Sequence, residues 1–300
     1  MQSNHDHTPD ASLIHALLKD QHPDLANLDI RPPVRGWDNE LWRLGGELAL
    51  RLPRTERAPA LIRKEHRWLP ELAMRLPLPV PAPLRLGEPS VLFPQPWTIV
   101  KWLKGVPADR TPLTPAQGGR AADTLAGFLR ELHEPAPADA PSNPYRTTPL
   151  DTLTEAFEQQ VRELHDDVPP GVRAVWEDAV AAPGPQGPPV WLHCDLHPAN
   201  VVVTDDALSG VLDFGELCAG DPAIDLAAAW MLLPDGQASR FFAAYAHADD
   251  AAVRRARGRA ILHSLALIGI GRAGDRGLPG GKVTWGHAGR AALSRVVADG

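Results

Sequence analysis

The sequence predicts an α+β protein of two lobes, with a small N-terminal antiparallel sheet lobe and a larger, mainly helical C-terminal lobe. Short alternating apolar runs occupy the first hundred residues, and apolar residues at helical spacing occupy most of the remainder. The chain also contains 32 prolines, which cluster between these segments. The change of pattern near Gly105 predicts an N-terminal lobe over residues 1–104 and a C-terminal lobe over residues 105–300.

The N-terminal lobe is predicted to hold a small sheet and one helix. Gly45 and Gly46 separate two alternating runs, which is a hairpin signal. Apolar residues at helical spacing predict a helix over residues 57–76, ended by Pro77. The remaining short apolar runs predict strands over residues 28–34, 40–44, 47–52, 91–93 and 97–103.

Helices dominate the predicted C-terminal lobe. Only the stretch 190–214 is strand-rich, and it holds most of the polar residues with chemical potential. A ligand is expected in the cleft between two such lobes. The predicted helices cover residues 115–133, 151–165, 172–181, 223–231, 237–246, 249–271 and 282–297.

Composition and charge exclude several classes of protein. A net charge of −7 argues against a nucleic-acid partner. No apolar run approaches the roughly 20 residues of a membrane helix, and no basic start precedes an apolar stretch, so we expect a cytoplasmic protein without a membrane partner. Two cysteines, Cys194 and Cys218, are too few for a disulfide framework or a four-cysteine zinc site.

The charge is unevenly distributed along the chain. Residues 31–110 contain 14 Lys or Arg against 8 Asp or Glu, whereas residues 191–250 contain 1 against 10. Residues 251–300 are basic again, with 9 against 2. Such blocks are either solvated faces or the two sides of a site that holds an anionic ligand near a metal or cationic ligand.

The most informative stretch runs from His193 to Asn200 and is followed by Asp213-Phe214-Gly215. Phosphoryl transfer needs a group that orients the attacking hydroxyl and accepts its proton, together with ligands for Mg²⁺. Mg²⁺ prefers oxygen donors. Asp195, Asn200 and Asp213 supply a base and two oxygen ligands at the spacing of a kinase active site.

This pattern, H-x-D-L-x-x-x-N followed by D-F-G, resembles the catalytic and metal-binding loops of the protein-kinase superfold. In its narrower form, HCDLHPANVVV with LDFGELCAGDPAIDLA, it is similar to the aminoglycoside phosphotransferase family of small-molecule kinases. The match covers about 35 contiguous residues, and the order of the lobes agrees over nearly the whole chain. The resemblance implies a two-lobed protein-kinase-like fold and an ATP- or GTP-dependent phosphotransferase.

Carried over residue by residue, the resemblance implies that Asp195 is the catalytic base and that Asn200 and Asp213 hold Mg²⁺. His193 would brace the loop, and His197 would shape it. Asp225 would support the loop as a buried carboxylate on the following helix.

Two positions depart from the family pattern. Cys194 and Ala199 stand where glycine is usual, and both side chains are small enough to keep the loop intact. We expect Cys194 to be buried and inert, because a thiol beside acidic residues is a poor thiolate.

The same resemblance assigns nucleotide contacts in the N-terminal lobe. Arg51 takes the place of the strand lysine that binds the α- and β-phosphates, and Glu65 is its expected ion-pair partner. The loop containing Gly36 and Asn39 would cover the phosphates, although it lacks G-x-G-x-x-G. The hinge that contacts the base would comprise Lys101, Trp102 and Leu103.

Alternatives remain open for several of these residues. Arg51 could be a surface arginine on an edge strand, Glu65 could lie on a solvated helix face, and Trp102 could belong to the core. His193, Asp195 and His197 alternate along the chain and could form a zinc site. Zinc is disfavoured, because Asn200 and Asp213 fall where kinase chemistry needs them.

The acceptor is a small molecule with a hydroxyl group, and the sequence does not identify it. Glu216, Asp235, Asp151 and Glu155 could contact an aminated sugar, but a cluster of arginines over residues 254–259 could equally line a different acceptor site. We expect an aminoglycoside or another antibiotic as acceptor. The alternatives are a metabolic kinase acting on choline, homoserine or a similar alcohol, and a nucleotide-binding pseudoenzyme. A protein substrate is disfavoured, because no A-P-E segment follows D-F-G.

Overall fold

The computed structural model describes residues 9–205 and 207–299. The chain divides into two compact units, and a short segment that interrupts unit 1 in the sequence belongs to unit 2. Unit 1 comprises Met1–Ala73 and Pro81–Leu103, and unit 2 comprises Met74–Val80 and Lys104–Gly300. The segment Met74–Val80 belongs to unit 2 because its polar groups bond there: Val211 N donates to Pro79 O at 3.0 Å.

Over its described residues, 9–73 and 81–103, unit 1 is a five-stranded antiparallel sheet with two α-helices. The strand order is β1-β2-β3-β5-β4, so the second hairpin strand, β3, lies at the centre. Buried apolar side chains of the strands and of the first helix, among them Ile14, Trp42 and Trp97, form one core. The elements are α1 (Ala11–Gln21), β1 (Val34–Arg35), β2 (Asn39–Leu44), β3 (Leu48–Pro53), α2 (Ala58–Ala73), β4 (Pro83–Gly87) and β5 (Trp97–Lys101).

Two predicted strands of unit 1 are wrong. In residues 28–34 the backbone forms only an isolated bridge, Ile30 to Leu44, before the two-residue strand β1. The run 91–93 is not a strand, and Val91 is exposed. The edge strand is instead β4, which begins at a proline, a residue that edge strands tolerate because its missing N–H would face away from the sheet.

Helix α1 was not predicted from the sequence. The Asp10 side chain caps its first turn by accepting a hydrogen bond from Leu13 N at 2.9 Å. Ile14, Leu17 and Leu18 are buried on one face of the helix, and they follow the i, i+3, i+4 spacing of an amphipathic helix.

Unit 2 is mainly helical, with a two-stranded sheet β10-β7 and a three-stranded sheet β6-β8-β9. The predicted helix over residues 223–231 is divided in two at Ala227. The elements are β6 (Val106–Pro107), α3 (Pro115–Leu132), α4 (Thr154–Glu163), α5 (Val172–Val180), β7 (Val190–Leu192), β8 (Val201–Thr204), β9 (Ala207–Val211), β10 (Cys218–Gly220), α6 (Ala223–Leu226), α7 (Ala228–Leu232), α8 (Ala238–Tyr245), α9 (Asp250–Asp275) and α10 (Val283–Ala298).

The two C-terminal helices α9 and α10 pack with their backbones in close approach. A Cβ atom added at Gly271 would lie 2.2 Å from Gly286 N, so glycine is required at this crossing. The approach carries Trp285 of α10 onto His197, with ring centroids 4.6 Å apart. The end of the chain therefore supports the loop that bears the motif residues.

The observed sheet and helices confirm the predicted α+β class. In the part of the chain that the structure describes, no helix is both long and apolar enough to cross a membrane.

Candidate active site

A buried carboxylate holds the beginning of the motif loop that follows β7. The Asp225 side chain on α6 accepts hydrogen bonds from His193 N at 2.6 Å and from Cys194 N at 2.7 Å. His133 Nε2 lies 3.3 Å from the same carboxylate, and its Nδ1 lies 2.8 Å from the Tyr245 hydroxyl. Bonds from N–H groups to a buried carboxylate are among the stronger hydrogen bonds in proteins. Asp225 therefore fixes the path of the backbone that leads to Asp195.

His193 connects this loop to the segment that contains D-F-G. Its Nδ1 accepts a hydrogen bond from Asp195 N at 3.1 Å, so its Nε2 is the donor to Leu212 O, at 2.7 Å. The ring also packs against Phe214, with centroids 4.6 Å apart. With both ring nitrogens engaged, His193 braces the loop and is not a metal ligand.

Asp195 and Asn200 are joined within the loop. Asn200 Nδ2 donates to Asp195 O at 3.0 Å and to Asp195 Oδ2 at 3.3 Å. These bonds use the amide nitrogen of Asn200, which leaves its oxygen as the atom suited to a metal ion.

Asp213 reaches the same region through the β8–β9 hairpin. Val201 pairs with Val211, and Leu212 N donates to Asn200 O at 2.7 Å, so the residue before Asp213 is bonded to Asn200. Asp213 is exposed, and its backbone is left-handed, with φ 57°. Aspartate adopts this conformation more readily than most residues. Asp195, Asn200 and Asp213 thus lie on two segments that are bonded to each other.

Two cationic or potentially cationic groups that the sequence did not indicate contact Asp195. Arg146 Nη2 lies 2.7 Å from Asp195 Oδ1, and His263 Nε2 of α9 lies 3.2 Å from the same oxygen. Burial acts to raise the pKa of Asp195, but the hydrogen bond from His263 and the charge of Arg146 outweigh it and hold that pKa well below its ordinary value. Asp195 is therefore an ionised carboxylate at neutral pH.

His197 lies next to Asp195, and its imidazole is uncharged at neutral pH. Its Nε2 is 3.8 Å from Asp195 Oδ2, and its Nδ1 accepts a hydrogen bond from Ala199 N at 3.4 Å. Burial lowers the pKa of His197 to about 3, although the charge of Asp195 opposes this shift. Over residues 9–205 and 207–299, no group of three or more His, Cys, Asp or Glu side chains is arranged to hold a metal ion. The zinc alternative has no support in this geometry.

The two cysteines lie side by side as free thiols, Cys194 in the motif loop and Cys218 at the start of β10. Cys194 Sγ is 3.2 Å from Cys218 Sγ, and both residues are buried. The hydrogen bond to Cys218 and burial raise the pKa of Cys194 well above its ordinary value. The thiol is therefore protonated at neutral pH, as expected for a buried and inert cysteine.

In unit 1, Arg51 and Glu65 form a bidentate ion pair. Arg51 Nη1 lies 2.5 Å from Glu65 Oε2, and Nη2 lies 3.1 Å from Oε1. Arg51 is 5% exposed and Glu65 is fully buried, so neither residue lies on a solvated surface. Arg51 lies on β3, which has a strand on each side, and Glu65 lies on α2.

The loop before β2 is a tight turn. Gly36 N donates to Asn39 O at 2.9 Å, and a Cβ at Gly36 would lie 3.1 Å from that oxygen. Asn39 is 6% exposed, and its Oδ1 has no hydrogen-bond partner among the described residues. Arg54 Nη1 donates to Gly36 O at 2.8 Å, which anchors the turn to the chain after β3.

The predicted hinge residues differ in exposure. Lys101 is exposed, whereas Trp102 and Leu103 are half-buried. The Arg43 guanidinium lies 5.1 Å from the centroid of the Trp102 ring, and Trp102 N donates to Glu47 O at 2.7 Å. Trp102 is therefore neither a core residue nor fully exposed.

Three of the four acidic residues suggested for an acceptor already have partners in the chain. Glu216 is 8% exposed and accepts a hydrogen bond from Asn143 Nδ2 at 2.5 Å. Asp235 pairs with Arg295 at 2.9 Å, and Asp151 accepts from Thr152 N at 2.9 Å. Glu155 is exposed in the first turn of α4.

Curated sequences provide one comparison. A homoserine kinase from Beijerinckia indica is 32% identical over 165 residues, which cover 51% of this chain and 49% of that protein. The chain thus spans about half the length of the curated relatives that it matches.

Solved structures provide a second comparison. The GDP complex of an aminoglycoside 2'-phosphotransferase is similar with a TM-score of 0.70 and 18% identity, over 97% of this chain and 99% of that one. A macrolide 2'-phosphotransferase from Brachybacterium faecium gives a TM-score of 0.58 and 21% identity, over 95% and 97% of the two chains. At these identities the likeness concerns the fold, and it confirms the kinase-like architecture expected from the motifs.

The match to a family model is the most extensive sequence evidence. The model described as the phosphotransferase enzyme family matches residues 29–260, which include Arg51, Glu65 and the whole motif region from His193 to Asp225. This match confirms the resemblance stated from the motifs, and the chain belongs to the phosphotransferase enzyme family.

Proposed function

We propose that the protein is a Mg²⁺-dependent O-phosphotransferase that moves the γ-phosphate of ATP or GTP to a hydroxyl group of a small molecule. The observation that carries this proposal is the Asp195 carboxylate, bonded to Asn200 and held next to the segment that bears Asp213. Solved members of the same fold have been obtained as complexes with GDP, ADP and ATP, which supports a nucleotide donor.

Asp195 serves this reaction as a fixed acceptor of the hydroxyl proton. A carboxylate that stays ionised at neutral pH accepts a hydrogen bond from the acceptor hydroxyl and orients its oxygen for attack. Its position is set by backbone bonds through His193 and by the amide of Asn200. Asp225 acts one step further away, as a positioning residue for the loop.

The Asn200 amide oxygen and the Asp213 carboxylate fit Mg²⁺, because both are hard oxygen donors at the end of one hairpin. When bound, Mg²⁺ neutralises charge on the phosphate oxygens. Asn200 also holds Asp195 through its Nδ2 atom, so one side chain would orient both the base and the metal.

For the nucleotide, the proposal assigns residues 1–104 as the binding lobe and residues 105–300 as the catalytic and acceptor-binding lobe. Arg51 would bind the α- and β-phosphates, with Glu65 fixing the orientation of its guanidinium. The backbone amides of the turn at Gly36 and Asn39 would cover the phosphates. The base would contact the backbone of Lys101, Trp102 and Leu103.

Two acceptor classes are consistent with family membership. Relatives of the same fold act on aminoglycosides and macrolides, and curated sequence relatives are homoserine kinases. We propose a hydroxyl-bearing small molecule in either case, phosphorylated in the cytoplasm, where ATP and GTP are available. A nucleotide-binding pseudoenzyme is disfavoured, because Asp195, Asn200 and Asp213 are all present.

The test is Mg²⁺-dependent phosphoryl transfer by the Asp195→Ala variant. We expect the variant to lose roughly 10³-fold or more in kcat/KM, the scale found when a member of a catalytic unit is removed. Transfer from ATP and from GTP is followed by mass spectrometry of the acceptor, with and without EDTA. Asp275→Asn, which alters an exposed carboxylate at the end of α9, is the matched control and should retain full activity. Full activity of Asp195→Ala would contradict the proposal.

A further inference from the structure

Arg146 is the cationic residue closest to the carboxylate that the proposed reaction uses. Its Nη2 lies 2.7 Å from Asp195 Oδ1, and its side chain is 35% exposed. The Arg146 guanidinium is therefore held by Asp195 and is still accessible to a ligand that reaches Asp195. Neither the kinase motifs nor their spacing account for an arginine at this place.

The loop that carries Arg146 is held in position from two sides. Arg146 N donates to Asn143 O at 3.1 Å, and the Asn143 side chain is bonded to the buried Glu216. From α9, Arg259 Nη2 donates to Thr148 O at 2.6 Å, and its Nη1 donates to Arg146 O at 3.4 Å. The backbone of Arg146 is thus held by contacts within unit 2, and its guanidinium contacts Asp195.

The Arg146 guanidinium favours an anion over a cation as the acceptor group that contacts it. Arg146 contacts Asp195 directly, and Arg259 braces the same loop with a second guanidinium. Glu216, the acidic residue that follows D-F-G, is buried and already bonded to an amide. An ammonium group brought to the Arg146 guanidinium would be repelled by it, whereas a carboxylate would be attracted to it.

We propose that the acceptor carries a carboxylate and that the Arg146 guanidinium binds it beside Asp195, so that Arg146 selects the acceptor class. A guanidinium has five N–H donors in one plane, which allows it to bridge two carboxylates. The acceptor would be a small hydroxy acid whose hydroxyl contacts Asp195 while its carboxylate contacts Arg146. This inference rests on the phosphotransferase activity proposed above and specifies the chemistry of its acceptor.

The experiment compares acceptors that differ only in this charge. The carboxylate acceptors are L-serine, L-homoserine, D-glycerate and 4-hydroxybutyrate. L-homoserine amide is the matched compound that keeps the ammonium group and lacks the carboxylate, and choline and kanamycin are cationic acceptors without a carboxylate. We expect kcat/KM for L-homoserine to exceed that for its amide by about 10- to 100-fold, the effect of a hydrogen-bonded charge pair.

The Arg146→Met variant should reduce this ratio to about threefold or less, and Arg146→Lys should retain part of it, since lysine keeps the charge without the planar donor pair. The ratio between two acceptors reports on recognition, because a purely structural defect would lower both values together. Thermal unfolding of each variant checks that it is folded. Arg162→Met, which removes an exposed arginine on α4, is the matched control and should keep the wild-type ratio.

Each outcome bears on one of the two proposals. Phosphorylation of choline or kanamycin at rates above those of every carboxylate acceptor would support the phosphotransferase and overturn the carboxylate inference. An unchanged ratio in Arg146→Met would also overturn it. Absence of transfer to every acceptor, from both ATP and GTP, would remove the proposed function and this inference with it.

Discussion

Two arginine–carboxylate pairs occupy the two units, and they differ in burial. In unit 1, Arg51 and Glu65 are bonded through both oxygens and are almost completely buried. In unit 2, Arg146 and Asp195 share one short contact, and their side chains are 35% and 19% exposed. The first pair presents a guanidinium in one orientation, whereas the second pair has access to solvent and to a ligand. Similar residue types thus form a pair closed to ligands in unit 1 and a pair whose arginine can also bind a ligand in unit 2.

The physical reason for the difference is desolvation. Separating a buried pair leaves a charge without a partner in a medium of low polarity, which costs several kcal/mol. Separating a partly exposed pair costs little, because water or another charged group replaces the lost partner. The comparison can therefore be tested by removing one member of each pair.

The largest effect is expected from Glu65→Gln. This change removes the charged, bidentate partner of the buried Arg51 guanidinium and should lower the free energy of unfolding by about 3–5 kcal/mol. Chemical denaturation followed by tryptophan fluorescence measures the loss. The KM for ATP or GTP should also rise, because Arg51 loses the group that orients it.

A double variant serves as the control. In Arg51→Met with Glu65→Leu, both charges are replaced by apolar groups, so the protein should be more stable than the Glu65→Gln variant. If Glu65→Gln unfolds at the same denaturant concentration as the wild type, the Arg51–Glu65 pair does not stabilise the folded protein.

An intermediate effect is expected from Asp225→Asn, which tests a buried carboxylate whose partners are backbone amides. The amide side chain cannot accept both the His193 and the Cys194 N–H through charged oxygens, and we expect a loss of about 1.5–3 kcal/mol. Because the loop to Asp195 depends on these bonds, kcat should fall as well. Urea unfolding and single-turnover kinetics on the same sample measure the two effects. Wild-type kinetics in a destabilised variant would show that the loop does not need this anchor.

The smallest effect on stability is expected from Arg146→Met. Arg146 is partly exposed and Asp195 keeps its contacts with His263 and Asn200, so loss of the pair should lower the free energy of unfolding by about 1 kcal/mol or less. A loss comparable to that of Glu65→Gln would show that the pair is a structural one, and the contrast between the two units would then fail. The measurement is the denaturation curve recorded for the other variants.

Local motifs were predictable where chemistry requires fixed spacing along the chain. The sequence identified Asp195, Asn200 and Asp213, because the loop and the following hairpin are continuous segments, and the structure brings these segments together through Leu212 and Asn200. The pairing of Arg51 with Glu65 was also expected, fourteen residues apart across a strand and a helix. The roles of these residues stay predictions until they are tested.

Contacts between distant segments were not predictable. Arg146 and His263 approach Asp195 from a loop and from α9, and no pattern in one sequence relates positions so far apart. His263 carried a weak signal, as a polar residue among the apolar residues of a long helix. In unit 1, β4 was not predicted, because it begins with a proline, which usually signals a loop, whereas the apolar run at 91–93 is not a strand.

The backbone at Cys194 links the thiol pair to the shape of the catalytic loop. Its φ of 68° is left-handed, a conformation that costs a side-chain-bearing residue about 1–2 kcal/mol and a glycine almost nothing. Glycine is the usual residue at this position in the pattern that the sequence resembles, and glycine adopts this conformation without strain. The contact between Cys194 and Cys218 fills the space below the turn and offsets part of that strain. The left-handed residue before Asp195 is thus held by the Asp225 carboxylate through its backbone and by Cys218 through its side chain.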